Sequence, residues 1–306
     1  MHFTNILLLV STASAFSFPS LPRSLPDASA VTDLFRRKDG DNKCPAIWST
    51  ISKDLTAMFL GNGQCNDDAR AAIRAVFHDC GAWNKAQGAK GGCDGSLILA
   101  GELGRAENNG LQDISGKLQV LATKLFAGSH AIVSCPGGPQ IKTFIGRKDS
   151  TTPAPDGLLP DVNASGDSLF KLFQDKGFDE VDLAALLGAH STSKQFFVDQ
   201  TKAGQAQDST PGIWDVKYYK ETLNAPADVF VFPSDKNLAS HAKVGKEFKG
   251  FVDNQGKWTG KFADAMQQMT LFGVANTNGM IDCTDALPKS TNVKREMRAM
   301  PIGSRS

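Results

Sequence analysis

The chain has 306 residues, of which 21% are charged and 41% hydrophobic, and its formal net charge is +1. That balance is ordinary for a globular protein, and with no dominant basic face it excludes nucleic acid as the expected partner. Six cysteines, an even number, all lie between Cys44 and Cys283, which points to disulfides made in an oxidising compartment.

Ile6-Leu7-Leu8-Leu9-Val10, followed by Ser14-Ala15, has the form of a secretory signal over residues 1–15, so a secreted, extracellular protein is expected. The run is too short to cross a bilayer, and no later segment approaches about 18 consecutive apolar residues, so no membrane span is predicted. Residues 16–37 are rich in Pro, Ser and Ala and end in Arg36-Arg37, the pattern of a pro-segment or a disordered leader. Residues 1–37 hold Arg23, Arg36, Arg37, Asp27 and Asp33, so the rest of the chain is formally neutral.

From residue 38 to residue 288 the periodicity is helical nearly throughout, with no internal repeat and no clear linker. It predicts one all-α domain, with two lobes around a cofactor. Ile47, Ile51, Leu55, Met58 and Phe59 form a stripe closed by Gly61. Asn66 is placed to cap the next helix, with Asp67 and Asp68 in its first turn and Ala69, Ile73, Val76 and Phe77 on its apolar face. Further stripes are Ile114, Leu118, Leu121 and Leu125, then Leu169, Leu172 and Phe173. Asp179 is placed to cap a helix whose inner face is Leu183, Leu186, Leu187 and His190, and Phe262, Ala265, Met266 and Met269 form the last stripe. Residues 289–306 set Lys289, Lys294, Arg295, Arg298 and Arg305 against Glu296 and read as a mobile basic tail. A monomer is expected.

Arg74 and His78 stand one turn apart, so both project from one helix face. A neutral base can move a proton there while the permanent cation stabilises the negative charge that develops. Asp79 follows directly, and Gly92-Cys93-Asp94-Gly95-Ser96 is an oxygen-rich turn suited to a hard cation. Asp208-Ser-Thr210-Pro-Gly-Ile213-Trp-Asp215 is a second such loop. Taken alone, these are common turns, and a lone His on an apolar helix face is ordinarily a core residue. No Cys-x-x-Cys with matched His spacing suggests a structural zinc, and cysteine spacing alone leaves the connectivity open. A hydrolase built on His78 and Asp79 would lack any Gly-x-Ser-x-Gly nucleophile motif. Asn163-Ala-Ser165 is an N-glycosylation acceptor pattern.

Together, Arg74-x-x-Phe77-His78-Asp79, Leu-Leu-Gly-Ala-His190-Ser191 and the Asp208–Asp215 loop resemble the secreted fungal haem peroxidases. These are the class II group that includes lignin and manganese peroxidases and is associated with lignin degradation. The resemblance runs from Cys44 to Pro288, with the motifs in family order. It implies the helical haem peroxidase fold, haem b and two Ca²⁺ as cofactors, and hydrogen peroxide and small aromatic reductants as partners. His190 matches the axial iron ligand, and Asp235, in Phe232-Pro-Ser-Asp235, matches the acceptor on its other ring nitrogen. His78 matches the distal base, with Phe77 before it, and Arg74 the charge stabiliser. Asn108 matches the acceptor that fixes the His78 tautomer, with Asn109 one register step away, and Glu102 a residue that orients that Asn. The first calcium set would be Asp79, Gly92, Asp94 and Ser96. The second would be Ser191, Asp208, Thr210, Ile213 and Asp215. Family positions suggest the disulfides Cys44–Cys283, Cys65–Cys135 and Cys80–Cys93, the last a departure toward secreted plant peroxidases. Pro153-Ala-Pro155 resembles the segment at the haem edge where small reductants approach.

The subfamily positions depart from the pattern. The three manganese-carboxylate positions hold Asp67, Ala71 and Phe196, one acid where a hard cation needs several oxygens. The surface Trp of lignin peroxidases falls at Ala185, and the proximal aromatic before the second calcium loop is Gln207. Trp83, Trp214, Tyr218, Tyr219 and Trp258 are oxidisable, although packing is the commoner use of such rings. The expected function is a peroxidase that cleaves hydrogen peroxide heterolytically and oxidises small phenolic or similar donors by one-electron steps at the haem edge. A manganese-dependent peroxidase and a non-catalytic secreted binding protein on the same scaffold are the alternatives.

Overall fold

Residues 43–121 and 124–291 are described by the computed structural model. The signal, the leader and the tail beyond Thr291 lie outside the described residues. Helix α1 (Ile47–Phe59) buries Trp48, Leu55 and Phe59. It leads into a hairpin of two-residue strands, β1 (Leu60–Gly61) and β2 (Gln64–Cys65). The turn residues Asn62 and Gly63 have φ of 53° and 73°, the left-handed pair that a tight hairpin turn requires. Asn-Gly is a hairpin signal that helical periodicity alone overlooks.

The cap at Asn66 forms as the sequence predicts, its Oδ1 accepting from Ala69 N at 3.1 Å. Helix α2 (Asp67–Gly81) buries Ala69, Ala72, Ile73 and Val76. A short α3 (Ser96–Leu99) follows the first oxygen-rich turn. The stripe from Ile114 to Leu125 is divided between α4 (Gln112–Leu121) and α5 (Lys124–Ser134). Beyond them lie α6 (Gly166–Lys176), α7 (Glu180–Leu187), α8 (Lys217–Leu223), α9 (Pro233–Ser240), α10 (Val244–Gly250) and α11 (Gln255–Thr270). Strands β3 (Phe144–Ile145) and β4 (Ile281–Asp282) pair antiparallel, and among the described residues the remaining β contact is an isolated bridge between Lys194 and Ala206.

The helices fall into two groups. α1, α2, α4 and α5 pack on one another; α7 packs against α10 and α11, and α9 against α6, α8 and α10. The second group is cored by aromatic rings: Trp214 stacks on Trp258 at 5.3 Å, and Tyr219 packs on Phe248 at 4.7 Å. Trp214, Trp258, Tyr218 and Tyr219 are all fully buried. Lys176 ties the two groups together. It is 1% exposed, and its ammonium donates to Gly81 O, Trp83 O and Leu158 O at 2.7, 2.9 and 2.7 Å. Burial lowers its pKa to about 8.

Asp179 forms a full capping box, accepting from Val181 N and Asp182 N while Asp182 accepts from Asp179 N. Helix α7 nevertheless stops at Leu187 and tightens into a 3₁₀ turn over Gly188–Thr192. His190 therefore sits on that turn and not on the α-helical face its periodicity predicts. At this turn Trp258 Nε1 donates to Ala185 O at 3.0 Å and Tyr219 Oη to the same oxygen at 3.3 Å, so the carbonyl that a continuing α-helix would offer to residue 189 takes side-chain donors. A Cβ at Gly188 would lie 2.3 Å from the same indole nitrogen, so α11 closes over bare backbone.

Three disulfides join Cys44 to Cys283, Cys65 to Cys135 and Cys80 to Cys93. The first two close loops of 239 and 70 residues, where stabilisation is typically about 2–4 kcal/mol each. Ordered structure passes the expected domain end at 288. Gly137 N donates to Thr291 O at 2.9 Å, and Gln140 Nε2 donates to Pro288 O at 2.7 Å. The first residues of the predicted tail are thus pinned to the Gly137–Gln140 turn. Among the described residues no helix is long and apolar enough to cross a membrane.

Candidate active site

Helix α2 presents His78 to a 3₁₀ turn, Ala106–Asn108, that follows a second one at Glu102–Gly104. His78 Nδ1 lies 2.7 Å from Asn108 Oδ1. Asn108 Nδ2 donates to Glu102 O at 2.8 Å, so the amide oxygen must face the ring. An acceptor in that place requires the imidazole proton on Nδ1 and leaves Nε2 with its lone pair. Burial and then the Arg74 charge push the His78 pKa down to about 3, against the opposing pull of the Asn108 hydrogen bond. The ring is therefore a neutral base across the physiological range. The Phe77 ring meets it edge-on at 5.8 Å.

Arg74 is held by the same turn. Its Nη1 donates to Asn109 O at 2.8 Å and its Nη2 to Glu107 O at 3.0 Å. Burial lowers its pKa to about 10, which leaves it charged near neutrality. Glu102 reaches Asn108 through its carbonyl and not its carboxylate. The carboxylate instead accepts from Ala154 N at 2.8 Å, while Arg105 Nη2 donates to Ala154 O at 2.6 Å. The Pro153-Ala154-Pro155 segment is thereby fastened to the turn that orients the candidate base.

The second helical group carries the other imidazole. His190 Nδ1 is 2.9 Å from Asp235 Oδ2, and Asp235 is 2% exposed in the first turn of α9, where the helix dipole favours a carboxylate. Burial works to lower the His190 pKa, but the charge and hydrogen bond of Asp235 outweigh it and raise the value. The His190 side chain stays 33% exposed. With Nδ1 committed to Asp235, its open edge is the one that carries Nε2. Tyr218 and Phe232 flank the ring edge-on at 5.9 and 5.5 Å. A free Nε2 backed by a carboxylate-held Nδ1 is the donor chemistry an axial haem ligand needs, and the residues present fit that group.

The oxygen-rich loops differ in how well they suit a cation. In the second, Ser191 Oγ and Asp208 Oδ2 are buried without a hydrogen-bond partner. Thr210 Oγ1 lies 3.0 Å from Asp208 Oδ1 and 2.9 Å from Asp215 Oδ2, and Ile213 N donates to Thr210 O. Burial and the facing Asp215 charge drive Asp208 up to about 8, and burial raises Asp215 as well. Buried carboxylates with orphaned oxygens fit a divalent cation that would satisfy them. In the first loop, Asp79 accepts from Gly95 N at 2.9 Å and from Leu97 N at 3.1 Å, Asp94 Oδ1 accepts from Ser96 N at 3.2 Å, and Gly92 O accepts from Asp94 N at 2.8 Å. Among the described residues no group of three or more His, Cys, Asp or Glu could hold a metal. A cation in either loop would need hydroxyl and main-chain oxygens beside the carboxylates.

Periodicity offered no signal for Arg147. Its Nη2 donates to Gly91 O and Phe272 O at 2.5 and 2.6 Å, and it braces the first loop from more than fifty residues away. Gly92 is required in that loop, since at φ 81° a Cβ would stand 2.3 Å from Phe272 O. Of the three manganese-carboxylate positions, Asp67 accepts from Arg70 Nη2 at 2.6 Å and from Lys194 Nζ at 3.0 Å, and Phe196 is 48% exposed. Asn163 lies in an exposed turn, where its sequon partner Ser165 caps α6 by accepting from Ser168 N.

A family profile described as Peroxidase matches residues 51–254. The chain is 34% identical to Ligninase LG2 of Phanerodontia chrysosporium, over 82% of this chain and 76% of that protein. It is 32% identical to Ligninase B of the same organism, over 90% and 84%. It is 31% identical to Ligninase C of Trametes versicolor, over 90% and 85%.

Proposed function

This chain belongs to the peroxidase family, and on that premise we propose that it is a secreted haem peroxidase, with residues 38–288 as its catalytic domain. It is a peroxide-dependent oxidoreductase. Hydrogen peroxide is its proposed oxidant, and small phenolic or similar aromatic compounds are its proposed one-electron donors. His190 Nε2 would hold the iron of haem b, with Asp235 fixing the ring. Bound there, haem supplies the redox centre at which the O–O bond is cleaved and from which two oxidising equivalents are drawn.

The residues opposite that role do acid–base work. His78 Nε2 takes the proton of hydrogen peroxide and returns it to the oxygen that leaves as water, so one neutral base serves both directions. Arg74 stabilises the negative charge on the departing oxygen. Asn108 keeps the proton on His78 Nδ1 throughout. Ser191, Asp208, Thr210, Ile213 and Asp215 would hold one Ca²⁺, and Asp79, Gly92, Asp94 and Ser96 the other. Each ion would anchor backbone beside one of the two histidines. Pro153 and Pro155 would flank the approach of donors.

The observation that carries this reading is the pair of histidines. Each has Nδ1 tied to a buried acceptor and Nε2 left free, one with a neutral amide and a neighbouring cation, the other with a carboxylate. The experiment is an absorption spectrum of the purified protein, followed by peroxide addition with a phenol and with Mn²⁺ as separate donors. A haem band that responds to peroxide and returns with the phenol is expected. Absence of a haem band would sink the reading, and haem inert to peroxide would favour a binding protein.

A further inference from the structure

Beyond the His190–Asp235 pair, a second side chain reaches the same carboxylate. The chain after His190 folds back on itself, with Gln195 N donating to Gln205 O at 3.0 Å, a bridge between Lys194 and Ala206, and Gln207 N donating to Ser193 O at 3.1 Å. This pairing sets Gln207 against Ser193 and Asp235. Gln207 is 1% exposed. Its Oε1 accepts from Ser193 Oγ, and its Nε2 donates to Asp235 Oδ2 at 3.4 Å. That oxygen is the one that takes the His190 Nδ1 proton at 2.9 Å. A carboxylate only accepts, so the amide nitrogen must face Asp235.

We propose that Gln207 is a positioning residue that limits how strongly Asp235 polarises His190. Two donors share one carboxylate oxygen, and the charge given to the amide N–H is withdrawn from the imidazole N–H. His190 then carries less imidazolate character than it would beneath an unshared carboxylate. A more imidazolate-like ligand favours ferric iron, so the shared oxygen holds the ferric/ferrous potential higher. A hydrocarbon ring at position 207 would give Asp235 Oδ2 no amide donor to share with His190. Ser193 has a supporting part, because its hydroxyl anchors the far end of the amide. This inference rests on the reading of His190 as the haem ligand.

The test uses the haem-loaded full chain. Gln207→Leu removes the amide at similar volume, and Ser193→Ala frees the amide without removing it. Two readouts are taken: the midpoint potential by spectroelectrochemical titration, and the iron–histidine stretching frequency of the ferrous form by resonance Raman. Gln207→Leu should lower the potential and raise the frequency, and Ser193→Ala should shift both the same way by less. In an Asp235→Asn background the effect of Gln207→Leu should vanish, a cancellation that a packing defect would not produce. Should Gln207→Leu fail to accumulate, Ser193→Ala carries the test by itself. Haem retained with potential and frequency unchanged in both variants overturns the proposal. A wild-type protein that binds no haem overturns the underlying reading instead.

Discussion

Replacing Asn108 with Leu isolates the tautomer lock from the base it serves. Asn108 is 1% exposed, and its Oδ1 meets His78 Nδ1 at 2.7 Å while its Nδ2 meets Glu102 O at 2.8 Å. Loss of a buried acceptor costs about 1–3 kcal/mol. If that cost falls on the productive ring orientation, the reaction with peroxide slows by about 5- to 150-fold at 1.36 kcal/mol per decade. Stopped-flow mixing of the haem-loaded protein with peroxide at pH 6 reads the second-order rate constant. Asn108→Asp keeps the acceptor and adds a charge that favours imidazolium, so the acid limb of the rate, near pH 3 in the wild type by the His78 pKa, should move to higher pH. His78→Ala should cost about 10²–10⁴-fold. A rate for Asn108→Leu within about twofold of wild type, beside a large loss in His78→Ala, would refute the claim that the amide sets the tautomer.

Chelation of calcium should lower the melting temperature, because Ser191 Oγ and Asp208 Oδ2 are left buried and unpaired. Saturation at 100 times Kd contributes about 2.7 kcal/mol, equivalent to about 5–10 °C for a domain of this size. Asp208→Asn should remove most of that calcium dependence, and an unchanged melting curve with and without chelator would contradict the site. Mn²⁺ should not act as an efficient donor, since Asp67 is already claimed by Arg70 and Lys194. Steady-state Mn²⁺ oxidation comparable to phenol turnover would reverse that conclusion. His130 is fully buried between Ser52 O and Ser134 Oγ, and burial lowers its pKa from 6.5 to about 4. The unfolded chain binds this proton more readily, so the stability held above pH 6.5 is lost as pH falls toward 4. The loss is about 3 kcal/mol at 1.36 kcal/mol per unit. Urea titrations between pH 4 and 7 should show a flatter profile for His130→Gln, and an unaltered slope would exclude His130 as the source.

Local signals carried much of this fold because their physics is local. Asn66 and Asp179 cap their helices within three residues of themselves, and the Arg74/His78 spacing fixes a shared face by helix geometry alone. The hairpin at Asn62-Gly63 was equally local and was hidden only by the helical pattern on either side. What composition and periodicity could not supply is contact between distant segments. Lys176 finds three carbonyls up to 95 residues away, Arg147 reaches Phe272 O, and Glu102 turns its carboxylate to Ala154 while its carbonyl orients Asn108. The His190 turn is a further case, since Ala185 O is met there by Trp258 Nε1 and Tyr219 Oη from distant segments.

The sequence by itself determined the helical class, the caps and the residue types able to do acid–base and metal chemistry, since each depends on neighbours within one turn. The tertiary structure decided which nitrogen of each histidine is free, which carboxylate oxygen Gln207 and His190 share, and that Asp67 is neutralised by its own neighbours. Those outcomes turn on hydrogen bonds between groups dozens of residues apart, whose geometry exists only once the helical groups have packed.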